Sequence, residues 1–461
     1  MDGSGVWLET MDRRFSNFFF FLAVGVVVIG NRLAFGTEST VAALPLAASG
    51  KVITLQDAID LALRTHPSEQ QARANVDVAS ARVEEARAPY LPQVTATGQY
   101  QRMTGNAVQR PGASFPSLQP TTWNPAFNFF TFGATASQLI YDFGQTSGRW
   151  RSSEATEASA MSSERATQVQ IIGNVRKAYF QARAQKDLVE VAADALANQQ
   201  KHLGQIDRLV SQGMRPEIDS VTAQTNLANA RVQFIAAQNA YAMACATLAQ
   251  TIGLSAAAGY QPGNDAMEAV PEENAPLDQL LELALRDRPE LAAFAQQRRA
   301  QQSIVSAASG GYGPSLAAQA SVTAQSQQLD NLVPNWWVGA LLTWPLFQGG
   351  ATTGQVHEAQ ATLRAIQAQE DSFRLSVRID VEQSSLGVQA ARATLEAANL
   401  ALHNAHKQLQ LAESRYAVGM GSVIELGDAQ VTDTQAAAQE VNARYTLASA
   451  RAALLGALGR R

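Results

Sequence analysis

The chain predicts a mainly α-helical fold that carries a membrane β-barrel portion, the whole built twice over. Three observations support that class. The sequence repeats itself at long range, two segments of about 66 residues sustain heptads, and four short segments alternate apolar with neutral polar residues.

The repeat sets the organisation. Leu55 to Pro67 (LQDAIDLALRTHP) matches Leu277 to Pro289 (LDQLLELALRDRP) at an offset of 222, which holds to Tyr90-Leu91-Pro92 against Tyr312-Gly313-Pro314. The offset becomes 206 where Ile140-Tyr141-Asp142-Phe143-Gly144 meets Leu346-Phe347-Gln348-Gly349-Gly350, and it stays so to Gly253 against Gly459. The 16 extra residues of the first copy fall in the Pro-, Gly- and Ser-rich stretch 102–126, a loop by composition. The copies therefore span 53–254 and 277–461, with 255–276 as a linker and 37–52 as an N-terminal extended segment.

Residues 1–36 read as a secretory signal. Arg13 and Arg14 precede an apolar run from Phe18 to Ile29, and Ala34-Phe35-Gly36 supplies a small-residue cleavage site. The run is shorter than the ~20 residues a membrane-spanning helix needs. Met11 serves as a start as well as Met1 does, since residues 1–10 add nothing to the signal. The paired arginines give a weak hint of the twin-arginine route, and the absence of Cys near the cleavage site argues against an N-terminal lipid anchor.

Within each copy the elements follow in order. A helix over Leu55–Arg64 or Leu277–Arg286 stops at a Pro, and a second helix runs from that Pro to Ala88 or Ser309. A strand follows with Val94, Ala96, Gly98 and Tyr100 on one face and Thr95, Thr97, Gln99 and Gln101 on the other. Its counterpart sets Leu316, Ala318, Ala320, Val322 and Ala324 against Gln319, Ser321, Thr323 and Gln325. The return strands carry Phe130, Phe132, Ala134 and Ala136 in one copy and Trp336, Val338, Ala340, Leu342, Trp344 and Leu346 in the other. Period two describes a half-buried strand, and a soluble antiparallel sheet is one reading. The neutral Thr, Ser and Gln face suits a wet lumen, and Trp336 and Trp344 share the apolar face at the spacing of an aromatic girdle. Four strands are too few to close a barrel, and open edges are not viable in lipid. A transmembrane reading therefore requires a barrel shared between chains.

The long helices follow, about Gly144–Val210 and Gly350–Tyr416. Val175, Ala182, Val189, Leu196, Leu203 and Val210 recur every seven residues, and Val381, Val388, Leu395, Leu402, Leu409 and Tyr416 match them member for member. Sustained heptads predict coiled-coil packing along a rod of about 100 Å. A sharp turn at Gly213-Met214-Arg215-Pro216 or Gly419-Met420-Gly421-Ser422 reverses the chain, and a shorter helix returns to Gly253 or Gly459.

Composition removes other classes. Charged residues make up only 16%, with Lys and Arg at 35 against Asp and Glu at 40, so nothing points to a nucleic-acid partner. One cysteine, Cys245, excludes an internal disulfide or a cysteine metal cage and reads as a packed helical residue. His403 and His406 lie three apart, but with no third ligand they read as a solvated pair. No phosphate loop, zinc-protease HExxH or GxSxG nucleophile turn occurs. No enzymatic activity, cofactor or metal is expected.

The ordered set ITLQDAIDLALRTHP, YLPQVTATGQY and LIYDFG, repeated as the Leu277–Pro289 run, YGPSLAAQ and PLFQGG, resembles the TolC family of trimeric outer-membrane efflux channels over about residues 53–460. The resemblance implies a homotrimer with a twelve-stranded barrel in outer-membrane lipid and a helical tunnel across the periplasm. It further implies docking to a periplasmic adaptor protein and an inner-membrane RND or ABC transporter, with export of drugs, metals or proteins. The other reading is a periplasmic coiled-coil adaptor or scaffold without a barrel, which leaves the Trp-bearing faces unexplained.

The family narrows its tunnel at the helix turns, where acidic rings face the pore. Glu425 and Asp428 match those positions and lie three apart, so both face one way on a helix. Ser422-Val423-Ile424-Glu425 also fits a capping box, a role compatible with the pore. Asp219 and Tyr416 match the family's gate carboxylate and tyrosine, although Tyr416 also ends a heptad series. The family's lock arginine is replaced by Gly421, whereas the first copy has Arg215 at the equivalent place, where it either pairs with Asp219 or is solvated. The resemblance makes Gly213, Met214, Gly419, Met420, Gly421 and Ser422 the adaptor-contact turns.

Overall fold

The computed structural model describes residues 51–104, 126–254, 259–266 and 268–460. The signal segment and most of the 102–126 loop lie outside the described residues. The element order is β1 (Val52–Ile53), α1 (Leu55–Thr65), α2 (Pro67–Arg87), β2 (Gln93–Thr104), β3 (Ala126–Tyr141), α3 (Gln145–Ser211), α4 (Glu217–Ile252) and β4 (Gln261–Pro262). It continues with α5 (Leu277–Asp287), α6 (Pro289–Gly310), β5 (Ser315–Ser326), β6 (Val333–Thr343), α7 (Ala351–Ala417) and α8 (Val423–Ala457).

Local chemistry sets these boundaries. The Thr54 hydroxyl accepts from the Asp57 amide at 3.2 Å and caps α1. His66 is extended before Pro67, as a residue preceding proline prefers, which breaks α1 from α2. Phe143 and Gly144 enter α3 with φ of 55° and 90°, and Gly349 and Gly350 enter α7 with 58° and 85°. The backbone geometry is the same twice, and only the first copy places a bulky residue in the left-handed region. Gly310 and Gly313 leave the room that Phe143 occupies, since a Cβ on either would collide with it.

The long helices each have 67 residues, about 100 Å of α-helix. α3 packs against α4, α2, α6 and α8, while α7 packs against α8, α6 and α5. Val381 and Val388 are buried as the heptads require. A second seam escaped the apolar count: Ala391, Ala398, Ala405 and Ala412 are all buried, each three residues after a heptad member. Alanine lets helices approach closely where larger residues would hold them apart.

The core is duplicated as well. Ala58, Ala62, Ile171, Val175, Leu248 and Ile252 form one buried cluster. Leu280, Ala284, Val377, Val381, Leu454 and Leu458, their counterparts at the two offsets, form another. Where it is described, the segment between repeats is structured: β4 pairs in parallel with β1, and Glu273 is buried and bound by Arg392 and Arg451. Val270 also enters the second core, but one isolated apolar residue gives no periodic pattern, and the other contacts of the segment are polar.

The four long strands form one antiparallel sheet in the order β2-β3-β5-β6. Its register places Val94, Ala136, Ala320 and Val338 across one row, so the expected apolar faces coincide. Trp337 and Leu341 depart from the polar pattern of the opposite face. The last strand also ends at Thr343, short of the expected Leu346. Trp344 therefore lies one residue past β6, where its indole N–H donates to the Tyr312 carbonyl at 3.1 Å. Trp336 is in the strand and exposed. No described helix is long and apolar enough to cross a membrane.

Candidate functional site at the helical tip

Both helical hairpins end at one place. Ile206 of α3, Ala223 of α4, Ala412 and Tyr416 of α7, and Leu426 and Ala429 of α8 share a buried cluster. The turns closing the hairpins are alike. Gly213 and Gly419 adopt φ of 72° and 76°, and the Met214 and Met420 amides reach back to the Leu209 and Arg415 carbonyls, both at 2.9 Å. This is the six-to-one closure that ends helices at a left-handed glycine. Gly421 also donates its amide to the Arg415 carbonyl at 3.0 Å, and a Cβ there would press on Tyr416 and Arg415.

Glu425 and Asp428 are both exposed in the first turns of α8. Half of the capping-box expectation is met: the Ser422 hydroxyl accepts from the Glu425 amide at 3.0 Å. The Glu425 carboxylate turns instead to Arg415, at 3.2 Å. Arg415 is the partner that sequence reasoning missed, and its place in the last turn of α7 is where a basic residue suits the helix dipole.

Tyr416 is buried, and its hydroxyl has no hydrogen-bond partner. The Arg215 guanidinium lies over its ring, 4.9 Å from the centroid, and no Arg215–Asp219 ion pair occurs among the described residues. Asp219 is buried near the same phenol. Burial raises the Tyr416 pKa; the charge of Arg215 lowers it and that of Asp219 raises it, so the phenol stays protonated at neutral pH. The His202 ring meets Tyr416 edge-on at 5.5 Å, and burial lowers the His202 pKa, keeping it neutral. His202 was not foreseen, although it precedes Leu203 and lies four residues before Ile206 on the buried stripe. A groove of about 560 Å³ beside this contact is lined by Lys201, His202, Arg208, Glu413, Tyr416 and Gln430, among others.

The remaining candidates separate from the tip chemistry. His406 pairs with Asp433 at 2.5 Å rather than with His403, and no metal-binding group of three ligands occurs among the described residues. Cys245 is half-buried, and burial pushes its thiol pKa up.

Residues 58–254 and 280–460 match the family described as outer membrane efflux protein. The chain is 27% identical to protein CyaE of Bordetella pertussis, over 88% of this chain and 84% of that protein. It is 26% identical to outer membrane protein TolC of Escherichia coli, over 86% of this chain and 80% of that one. The outer membrane protein VceC of Vibrio cholerae has the same fold, with a TM-score of 0.75 at 19% identity, covering 88% of this chain and 96% of that one. A duplicated helical hairpin protein with a four-stranded sheet is the architecture of a TolC-like channel protomer. The chain belongs to the outer membrane efflux protein family. It is accordingly an outer-membrane channel protein that extends into the periplasm.

Proposed function

We propose that three copies form a passive exit duct of a tripartite efflux or type I secretion system. Each copy contributes four strands to a barrel in outer-membrane lipid and two helical hairpins to a periplasmic tunnel. The tunnel is gated at the tip, where an adaptor protein docks on the turns at Gly213-Met214 and Gly419-Met420-Gly421-Ser422. An inner-membrane RND or ABC transporter supplies the energy and selects the cargo, and the duct performs no chemistry. One observation supports the gate most strongly: both hairpins converge on a single cluster, with Glu425 and Asp428 exposed beside it. Three copies of each carboxylate around one opening attract cations and repel anions. No observation favours the soluble-scaffold reading.

The test is single-channel conductance of the purified mature protein in planar bilayers. Discrete steps with cation selectivity that falls in Glu425→Ala/Asp428→Ala support the duct and its acidic ring. Unchanged selectivity removes the ring, and a soluble protein that never inserts removes the duct.

A further inference from the structure

We infer that the groove beside Tyr416 binds a small organic anion, a carboxylate carried on an apolar body, and that its occupant holds the two hairpins together at the tip. The first half of this statement stands on the groove alone; the second rests on the gated reading above. The groove, about 560 Å³, has the size of a small-molecule site. Its α3 wall runs from Asn198 to Gln212, about 21 Å of helix, and carries Lys201 and Arg208 two turns apart on one face. Both are exposed, and neither they nor Glu413 on the facing α7 wall form an ion pair among the described residues. Two cations thus stand against one carboxylate, a surplus that an anion of single charge balances. Leu209, Ala417 and Leu426 supply the apolar lining.

The buried part of the lining points to the same class of ligand. Tyr416 is 7% exposed and His202 6%, and both line the groove. The Tyr416 hydroxyl has no hydrogen-bond partner, although a buried hydroxyl ordinarily finds one. Arg215 lies over the ring, and the phenol keeps its proton, so what it lacks is an acceptor. A carboxylate in the groove supplies that acceptor, and Lys201 and Arg208 give it charge-assisted donors. This chemistry is not a by-product of the duplication. At the offset of 206 the counterparts of His202, Arg208 and Tyr416 are Gln408, Ser414 and Val210, which carry none of it. A ligand touching α3 on one wall and α7 and α8 on the other spans both hairpins. It therefore favours the state in which they stay together.

The probe is naphthylacetate, with its neutral amide as the isostere, each titrated calorimetrically into the purified full-length protein in detergent. The expected result is saturable binding of the anion, several-fold tighter than that of the amide and weakened by salt. Lys201→Gln/Arg208→Gln should weaken it by about tenfold. Tyr416→Phe should weaken it several-fold and leave the thermal midpoint of the free protein unchanged, because the lost hydroxyl has no partner there. A fall in that midpoint with binding intact overturns the role given to the phenol. Equal affinity for anion and amide, or equal binding by wild type and the double variant, overturns the site. In planar bilayers the anion should lower the open fraction of the wild type and not that of the double variant. Binding with an unchanged open fraction overturns the closure and leaves the site standing. Channels that never form overturn the gated reading itself, and the calorimetry still decides the site.

Discussion

The Tyr416 ring takes Arg215 on its π system and His202 at its edge, so one buried phenol links the turn after α3 to the end of α7. A cation over an aromatic ring contributes about 0.5–2 kcal/mol, depending on solvent exclusion. Arg215→Ala is therefore expected to raise the open fraction in bilayers, by several-fold rather than by orders of magnitude. An unchanged open fraction would assign Arg215 to the surface. His202 adds a pH dependence with a definite sign. Its pKa is lowered in the packed tip, so its contribution to closure is complete above the ordinary histidine value and is lost as pH falls through the depressed one. Burial alone causes the shift, while Lys201, Arg208 and Glu413 line the same groove. Open probability should rise on acidification, and His202→Gln should flatten that rise.

Among the elements, the joints are the most sensitive places. Gly253 ends α4 at φ 86°, where a Cβ would lie 2.9 Å from the His66 Cα; Gly459 after α8 stands against Arg288 in the same way at 2.8 Å. Each lets a returning helix abut the break before a proline. Gly253→Ala combines left-handed strain with a backbone collision and is expected to cost roughly 1–3 kcal/mol, read as a lower thermal midpoint. Gly204→Ala, in a helix with nothing near it, is the control that should not destabilise. The long helices were legible in the sequence because their apolar heptads are regular. The alanine seam of α7 was not, since alanine populates exposed and buried helix faces alike and only the packing tells them apart.

At the scale of the molecule, ionic contacts to buried carboxylates tie the segment between repeats to the second half and hold the helices of that half together. Glu273, from the segment between repeats, meets Arg392 on α7 and Arg451 on α8, while Glu370 on α7 meets Arg298 on α6 at 3.1 Å and Arg374 at 2.7 Å. Removing Glu273 leaves Arg392 half-exposed and Arg451 partly exposed, so the loss falls below the ~3–5 kcal/mol of a pair whose remaining charge stays buried. Glu273→Ala should therefore make the segment between residues 259 and 276 susceptible to limited proteolysis under conditions where the wild type resists. Equal resistance would show that its other contacts, the β4 pairing, buried Val270 and the Glu272–Arg460 pair, hold it without Glu273.

The sequence by itself determined the duplication, the order of the helices and of the four long strands, the long helices to within a residue, and the apolar faces of those strands. These follow from periodicity, from prolines and glycines that punctuate the chain, and from two offsets that any fold must respect. The turns and the exposed Glu425 and Asp428 were also legible, being short-range features of capping and helix spacing. Only the tertiary structure decided that Arg215 lies over Tyr416 rather than beside Asp219, that Glu425 turns to Arg415, and that His202 enters the seam. Those choices depend on how two hairpins distant in sequence bring their ends together. No local pattern encodes that, because side-chain partners across an interface are selected by packing geometry and desolvation rather than by spacing along the chain.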